Sequence, residues 1–251
     1  MRKTLSLLLI LLTCSSAQVQ AQNIAFKVGL GIADRYSNAR PTSALMAGVA
    51  YEHEFSAHWG VAPGIFLQGK GWKEKNLNVV YDQFTKDQCP ADWDDDTQTW
   101  RTGKMGEKYV NTVLTLAVPF HYYLRLGSCY YMIFSAGPYA SAGVSARRTI
   151  EGDPTKTEGQ RISYSIKGYD TPADTRFTGY RRFDAGLQAQ IGFEFPTGIT
   201  LGLQTDFGLL NQAISGAPRR QVTSMVTLTY NFHRASSYRQ QAIDQYWESL
   251  Q

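Results

Sequence analysis

The sequence predicts an all-β fold: an eight-stranded, up-and-down antiparallel transmembrane β-barrel followed by a short C-terminal periplasmic helix. Three observations predict it. The chain opens on a secretory leader, apolar residues then recur at every second position, and the connections alternate between short and long.

Arg2 and Lys3 form a positive n-region, Leu5 to Leu12 an apolar run broken only by Ser6, and Val19-Gln20-Ala21 a small-residue cleavage site before Gln22. The run is too short for a membrane helix, which needs about 20 residues. Residues 1–21 are therefore expected to be a signal peptide. Cys14 follows Leu11-Leu12-Thr13, a poorer processing site than Ala21, so lipidation at that cysteine is the less favoured alternative. The formal net charge is +4, and it falls to +2 once Arg2 and Lys3 leave with the leader. So small a balance argues against nucleic acid as a partner. Cys89 and Cys129 fall at opposite ends of the expected barrel, so no disulfide is expected between them.

Alternating segments fill residues 22–232, the expected barrel domain. They run from Ile24 to Ile32, Leu45 to Phe55, Trp59 to Lys70, Tyr109 to Leu124, Tyr130 to Val144, Phe183 to Phe195, Ile199 to Leu209 and Val222 to Phe232. The clearest is Tyr109 to Leu124. There Val110, Leu114, Leu116, Val118, Phe120 and Leu124 form an oily face, and Asn111, Thr115, Ala117 and His121 alternate with them.

A soluble sandwich also alternates. Here, however, the small and polar face carries Lys27, Glu52, Glu54, Lys70, Asp184, Glu194 and Asp206, residues that a membrane barrel encloses. Aromatic residues crowd the segment ends, as Tyr51, Phe55 and Trp59 or Tyr230 and Phe232 illustrate, in the manner of an interfacial girdle. The connections decide. Ser56 to His58, Arg125 to Ser128 and Pro196 to Gly198 are short; 33–42, 71–108, 146–178 and 210–219 are long. Short turns on the periplasmic side and long loops outside are the outer-membrane pattern, and they place both chain ends in the periplasm. Closure follows from the solvent, because hydrocarbon offers no partner to an unpaired backbone group.

Several short motifs occur in order: Ala21-Gln22, Phe26 to Leu30, Gly64 to Gly71, Leu116 to Phe120, Ala136 to Tyr139, Asp184 to Leu187 and Leu228 to Phe232. On these the mature barrel, residues 23 to 232, resembles the PorT-like small outer-membrane barrels of Bacteroidetes-type bacteria. The resemblance implies an eight-stranded outer-membrane barrel inserted by the barrel-assembly machinery. One branch of that family serves type IX protein secretion, and no residue here separates that branch from the rest.

A barrel of about eight strands has an interior just wide enough for side chains. Buried charges must be paired. Lys27, Glu52, Glu54, Gln68, Lys70, His121, Asp184, Gln188, Glu194, Gln204 and Asp206, with Arg182 above, are expected to form an ion-pair and amide network that fills the lumen. A narrow pore is one alternative. A lipid-modifying enzyme is another, with His121 near inward carboxylates its one candidate residue; no serine stands beside His121 in a recognisable motif. The run Asp92 to Asp96 lacks calcium-loop spacing and is expected to be a solvated stretch, so no metal or other cofactor is expected.

The 71–108 connection holds Trp72, Trp93 and Trp100, candidate binding anchors or the small core of a loop over the barrel mouth. The 151–174 stretch has the composition of a mobile loop. Beyond Phe232, residues 233–251 form a separate tail. Tyr238, Ala242, Ile243, Tyr246, Trp247 and Leu250 recur at helical spacing, so an amphipathic helix is expected, with Tyr246 and Trp247 its candidate contacts. The function expected is that of a non-enzymatic membrane anchor and binding scaffold. Its expected partners are outer-membrane lipids, the assembly machinery and an envelope or secretion complex reached through the loops or the tail.

Overall fold

The computed structural model describes residues 23–36, 40–78, 87, 93, 94, 96–100, 104–127, 130–152, 163–167, 180–212, 220–232, 234, 235 and 237. The expected leader with Cys14, the pair Cys89 and Cys129, and the tail from 238 onward with Tyr246 and Trp247 lie outside the described residues.

Eight antiparallel strands form a ring. β1 is Ile24–Arg35. β2 is Arg40–Tyr51 and continues as His53–Glu54. β3 has a lower piece, Trp59–Val61, and an upper piece, Gly64–Asn78. β4 likewise has Lys104–Ala117 and Phe120–Leu126. β5 is Tyr130–Glu151, β6 is Phe183–Glu194, β7 is Ile199–Gly208 and β8 is Gln221–Asn231. Each pairs with the next, and β8 pairs back along β1 from Ala25↔Asn231 to Arg35↔Gln221. The wall therefore has no open edge to be left without partners in hydrocarbon.

The alternation seen in the sequence becomes an inside and an outside. On β8, Thr223, Met225, Thr227 and Thr229 are buried in the lumen. Val226 and Leu228 face out, 51% and 48% exposed. Leu30, Leu45, Ile65, Leu116, Leu187 and Leu203 face out in the same way on other strands. Bare apolar side chains outside and buried amides and charges inside are the reverse of a water-soluble barrel.

Two prolines interrupt this pattern. Alternation alone presents β3 and β4 each as one unbroken strand, but Pro63 and Pro119 have no N–H to give. The strands divide there, and the ladder continues because Ala62 N donates to Pro119 O at 2.9 Å and Val118 N to Pro138 O at 3.0 Å.

The strands also run beyond the expected limits. β3 reaches Asn78 and β4 starts at Lys104, well inside the 71–108 stretch expected as loop. Trp72 is thus a strand residue facing the lumen, 1% exposed, and not a loop anchor. Trp93–Asp94 and Thr99–Trp100 form a small hairpin, two residues to each strand, in the remaining connection, with Trp93 opposite Trp100. β5 extends to Glu151, and Tyr164–Lys167 pairs against its upper end. A bulge between Gly143 and Ser145 shifts the register, so Ala146, Arg148 and Ile150 turn inward above it.

The short turns share one end of the ring with both ends of the barrel sequence. Gly198 closes the β6–β7 turn at φ 75°, a left-handed conformation suited to glycine. A Cβ there would stand 2.7 Å from Asn231 O, because Asn231 N bonds to Gly198 O across the turn. From Phe232 the chain turns helical, with residues 234, 235 and 237 in the same conformation.

Candidate functional site

The lumen holds most of the buried polar side chains, arranged in three tiers between the long-connection end and the short-turn end. The upper tier sits under the long connections. Trp72, Tyr109 and Tyr180 pack ring on ring, with centroids 4.2 to 5.2 Å apart. Arg148 Nε meets Glu107 Oε1 at 2.9 Å, and the Tyr180 hydroxyl donates to the same oxygen at 2.5 Å. Arg35 closes the rim by pairing with Glu74 at 2.5 Å.

The middle tier joins five strands, β3 to β7. Lys70 Nζ lies 3.8 Å from Asp206 Oδ2, with both side chains 2% exposed, and 4.6 Å from the centre of the Tyr139 ring. Gln68 and Gln204 each donate an amide N–H to Asp206, at 3.1 and 2.8 Å. Thr115 donates to Gln68 Oε1 at 2.9 Å, and the Tyr139 hydroxyl to Asp184 Oδ2 at 3.0 Å. Such a cluster carries its charges in low dielectric only because each carboxylate meets a cation or a donor.

Below this tier, Lys27 Nζ donates to Gln190 Oε1 at 2.5 Å. A cavity of about 30 Å³ lies here, lined by Lys27, Glu52, His121, Ser135, Gln188 and Gln190 among others. That volume suits roughly one water molecule. Ser135 stands directly opposite His121 on the neighbouring strand, and both side chains are buried. His121 Nδ1 lies 3.2 Å from the Tyr123 hydroxyl.

The lower tier is organised by Arg234. Its guanidinium reaches Glu194 at 2.5 Å, Glu54 at 2.6 Å and Glu52 at 4.0 Å, and it lies over the Tyr123 ring at 4.2 Å. Asn231 Oδ1 accepts the Arg234 backbone N–H at 3.0 Å, as a helix N-cap does, while its amide donates to Glu52 at 2.6 Å. Burial pushes the Glu52 carboxyl above the ordinary carboxylate range, and Arg234 and Asn231 pull it back. Burial also disfavours the Arg234 charge, but Glu194, Glu52 and Glu54 outweigh that, so its pKa stands above the usual arginine value.

Of the residues expected in the lumen, Lys27, Gln68, Lys70, His121, Asp184, Gln188, Glu194, Gln204 and Asp206 lie buried there. Glu52 is half-buried at the rim; Glu54 is exposed on one side and held by Arg234 on the other. Arg182 stands apart from the network. It is exposed, and its Nε donates to the Gly143 carbonyl at 2.7 Å. Arg234 was not among the expected residues. Its signal is an excess of inward carboxylates at one end, Glu52, Glu54 and Glu194, facing a tail whose second residue is an arginine three positions past a capping asparagine. Arg148 was missed because the bulge after Gly143 reverses the alternation that would point it inward.

The sequence profile described as outer membrane protein beta-barrel domain matches residues 17–213. The chain belongs to that family. This outer-membrane barrel is similar in fold to three solved structures. Ail, the attachment invasion locus protein of Yersinia pestis, is 11% identical over 82% of this chain and 96% of that one, with a TM-score of 0.34. Neisserial surface protein A is 7% identical over 83% and 96%, with a TM-score of 0.37. OprG from Pseudomonas aeruginosa is 15% identical over 84% and 97%, with a TM-score of 0.35. None is near enough to lend a residue its role. No curated protein matches the sequence.

Proposed function

We propose that this outer-membrane barrel is a non-enzymatic anchor and binding scaffold, oriented with its long connections outside the cell and both chain ends in the periplasm. The observation that carries this reading is the filled lumen. Three tiers of hydrogen-bonded and ion-paired side chains cross it, and the cavity beneath the middle tier suits about one water, which favours a plugged lumen over a path for substrate or ion. The working surfaces are then the external connections, including the Trp93–Trp100 hairpin, and the tail that starts under Arg234. An envelope or secretion complex is the partner class that suits them, and the ordered motifs favour the PorT-like branch within the wider family. The test is co-purification from native membranes with residues 238–251 deleted. Loss of specific co-purifying proteins is expected; an unchanged set would sink tail docking.

Two further measurements address the competing readings. In planar bilayers the purified barrel is expected to show no steady conductance, and a stable open level would overturn the plugged lumen. The enzyme reading draws support from Ser135 lying opposite His121. Yet His121 Nδ1 is engaged by Tyr123, and the cavity beside it has no room for a lipid. His121→Ala is therefore expected to leave the strain's lipid profile unchanged, and an altered acylation pattern would restore the enzyme.

A further inference from the structure

The outer face of the wall carries a pattern that spanning hydrocarbon does not require. On β4 the outward apolar residues end at Val110, 40% exposed, and Lys108 is the next outward residue above it. Lys108 stands directly opposite Lys73 on β3, and Lys73 directly opposite Arg40 on β2. On the other side Lys108 faces Thr149 on β5, which faces Ser165 on the side strand Tyr164–Lys167. One outward step nearer the hydrocarbon, Val110 faces Arg147, and Arg147 faces Lys167.

Residues directly opposite in an antiparallel pair project from the same face. Five neighbouring strands therefore each present one cation on one outer surface, at strand spacings of about 4.8 Å. Arg40, Lys108, Arg147 and Lys167 are exposed and Lys73 is half-buried. Like charges directly opposite destabilise a sheet. Among the described residues no carboxylate forms an ion pair with any of the five. Glu151, at the end of β5, forms no ion pair with them, and Asp34 on β1 accepts the Arg35 N–H through its Oδ1. The belt cannot relax inward, because Trp72, Tyr109 and the Glu107–Arg148 pair fill the lumen behind it. Thr149 and Ser165 add two exposed hydroxyls to the row, 3.0 Å apart.

We propose that this belt binds the phosphate groups of anionic lipids in the outward leaflet of the membrane. The inference rests on the orientation given under Proposed function. It follows from charge complementarity and position: Arg147 and Lys167 are level with Val110, the last residue of the apolar band, and Arg40, Lys73 and Lys108 lie one outward residue above it, where lipid phosphates lie, while the acyl chains of the same lipids lie along Leu114 and Leu116 below. Phosphate oxygens between Lys73 and Lys108, and between Arg147 and Lys167, turn two repulsive pairs into two shared anion sites.

The test uses the full mature barrel in detergent, titrated with a phosphorylated outer-leaflet glycolipid and with the same glycolipid after enzymatic dephosphorylation. The K73Q/K108Q variant changes one half-buried and one exposed head on the outer face, and its folded state is checked by heat-modifiable gel mobility. R181Q/R220Q removes two cations on the far side of the ring as a control. Expected are binding of the phosphorylated lipid alone, an affinity about tenfold weaker in K73Q/K108Q, and no change in R181Q/R220Q. Equal affinity for both lipids, or no loss in K73Q/K108Q, would overturn the proposal. So would binding of a soluble sulfated polysaccharide without binding of the lipid. Protease added to intact cells addresses the orientation separately: cleavage within 152–180 is expected, and protection there would overturn the outward placement even where the lipid titration succeeds.

Discussion

Replacing Arg234 with Ala is expected to destabilise the barrel by about 3–5 kcal/mol, the cost of removing one partner from a buried ion cluster. Three carboxylates converge on this guanidinium, and Glu194 and Arg234 are 2% and 9% exposed in their side chains. Arg234→Lys should recover only part of the loss, because one ammonium cannot address carboxylates on two sides as a planar fork does. The deficit should depend on pH with a definite sign. Burial already raises the Glu52 pKa above the ordinary carboxylate value of 4.5, and without Arg234 it rises further. A carboxyl with a raised pKa binds more protons folded than unfolded between that value and the raised one, so stability grows as pH falls through this window. The variant should therefore lie closer to wild type at about pH 5 than at about pH 8. Urea unfolding in detergent micelles, followed by tryptophan fluorescence, measures both effects. A pH-independent loss under about 1 kcal/mol would show that Arg234 is only a surface pair.

The second large effect lies in the middle tier. Lys70→Met is expected to cost about 3–5 kcal/mol, because it leaves Asp206 and Asp184 in the lumen without their cation. Lys70 and Asp206 are 3.8 Å apart and each 2% exposed, so water cannot substitute. Asp206→Asn alone strands the lysine and should cost a similar amount. The double variant K70M/D206N removes both charges, although the amide oxygen it introduces can accept from only one of Gln68 and Gln204, whose N–H groups meet different oxygens of Asp206. It should recover to within about 1–2 kcal/mol of wild type, a coupling that a double-mutant cycle reads directly. Additive losses would show that the two residues act independently.

How far the sequence disclosed this molecule depends on which rule governed each residue. Period-two alternation places Lys27, Gln68, Lys70, Asp184, Gln188, Gln204 and Asp206 on one face of their strands, and closure of the ring turns that face into a lumen. The same rule misplaces whatever follows an irregularity. Arg148 lies beyond a bulge, so counting by twos sends it outward. Trp72 belongs to a strand that outlasts its apolar face, because above Val110 the outer residues are cationic and the oily-outside signature ends while the pairing continues. Arg182 lies before the first paired residue of β6, where alternation no longer applies. The divisions at Pro63 and Pro119 were visible as missing donors, although alternation ran straight through both. Arg234 is different again. It is not on a strand, and only the charge balance at one end of the cylinder could have pointed to it.

The position of Arg234 also bears on the order in which the molecule can be completed. Its bond to Glu54 spans 180 residues and its bond to Glu194 spans 40. The Glu54 bond cannot close until β8 has been seated between β7 and β1, the step with the greatest loop-closure cost in the ring. A chain halted before that step would present Glu52, Glu54 and Glu194 at an unsealed mouth, a negatively charged opening that a finished barrel does not have. Completion thus cancels a local charge, and the last few residues to arrive distinguish an inserted barrel from one still waiting to close.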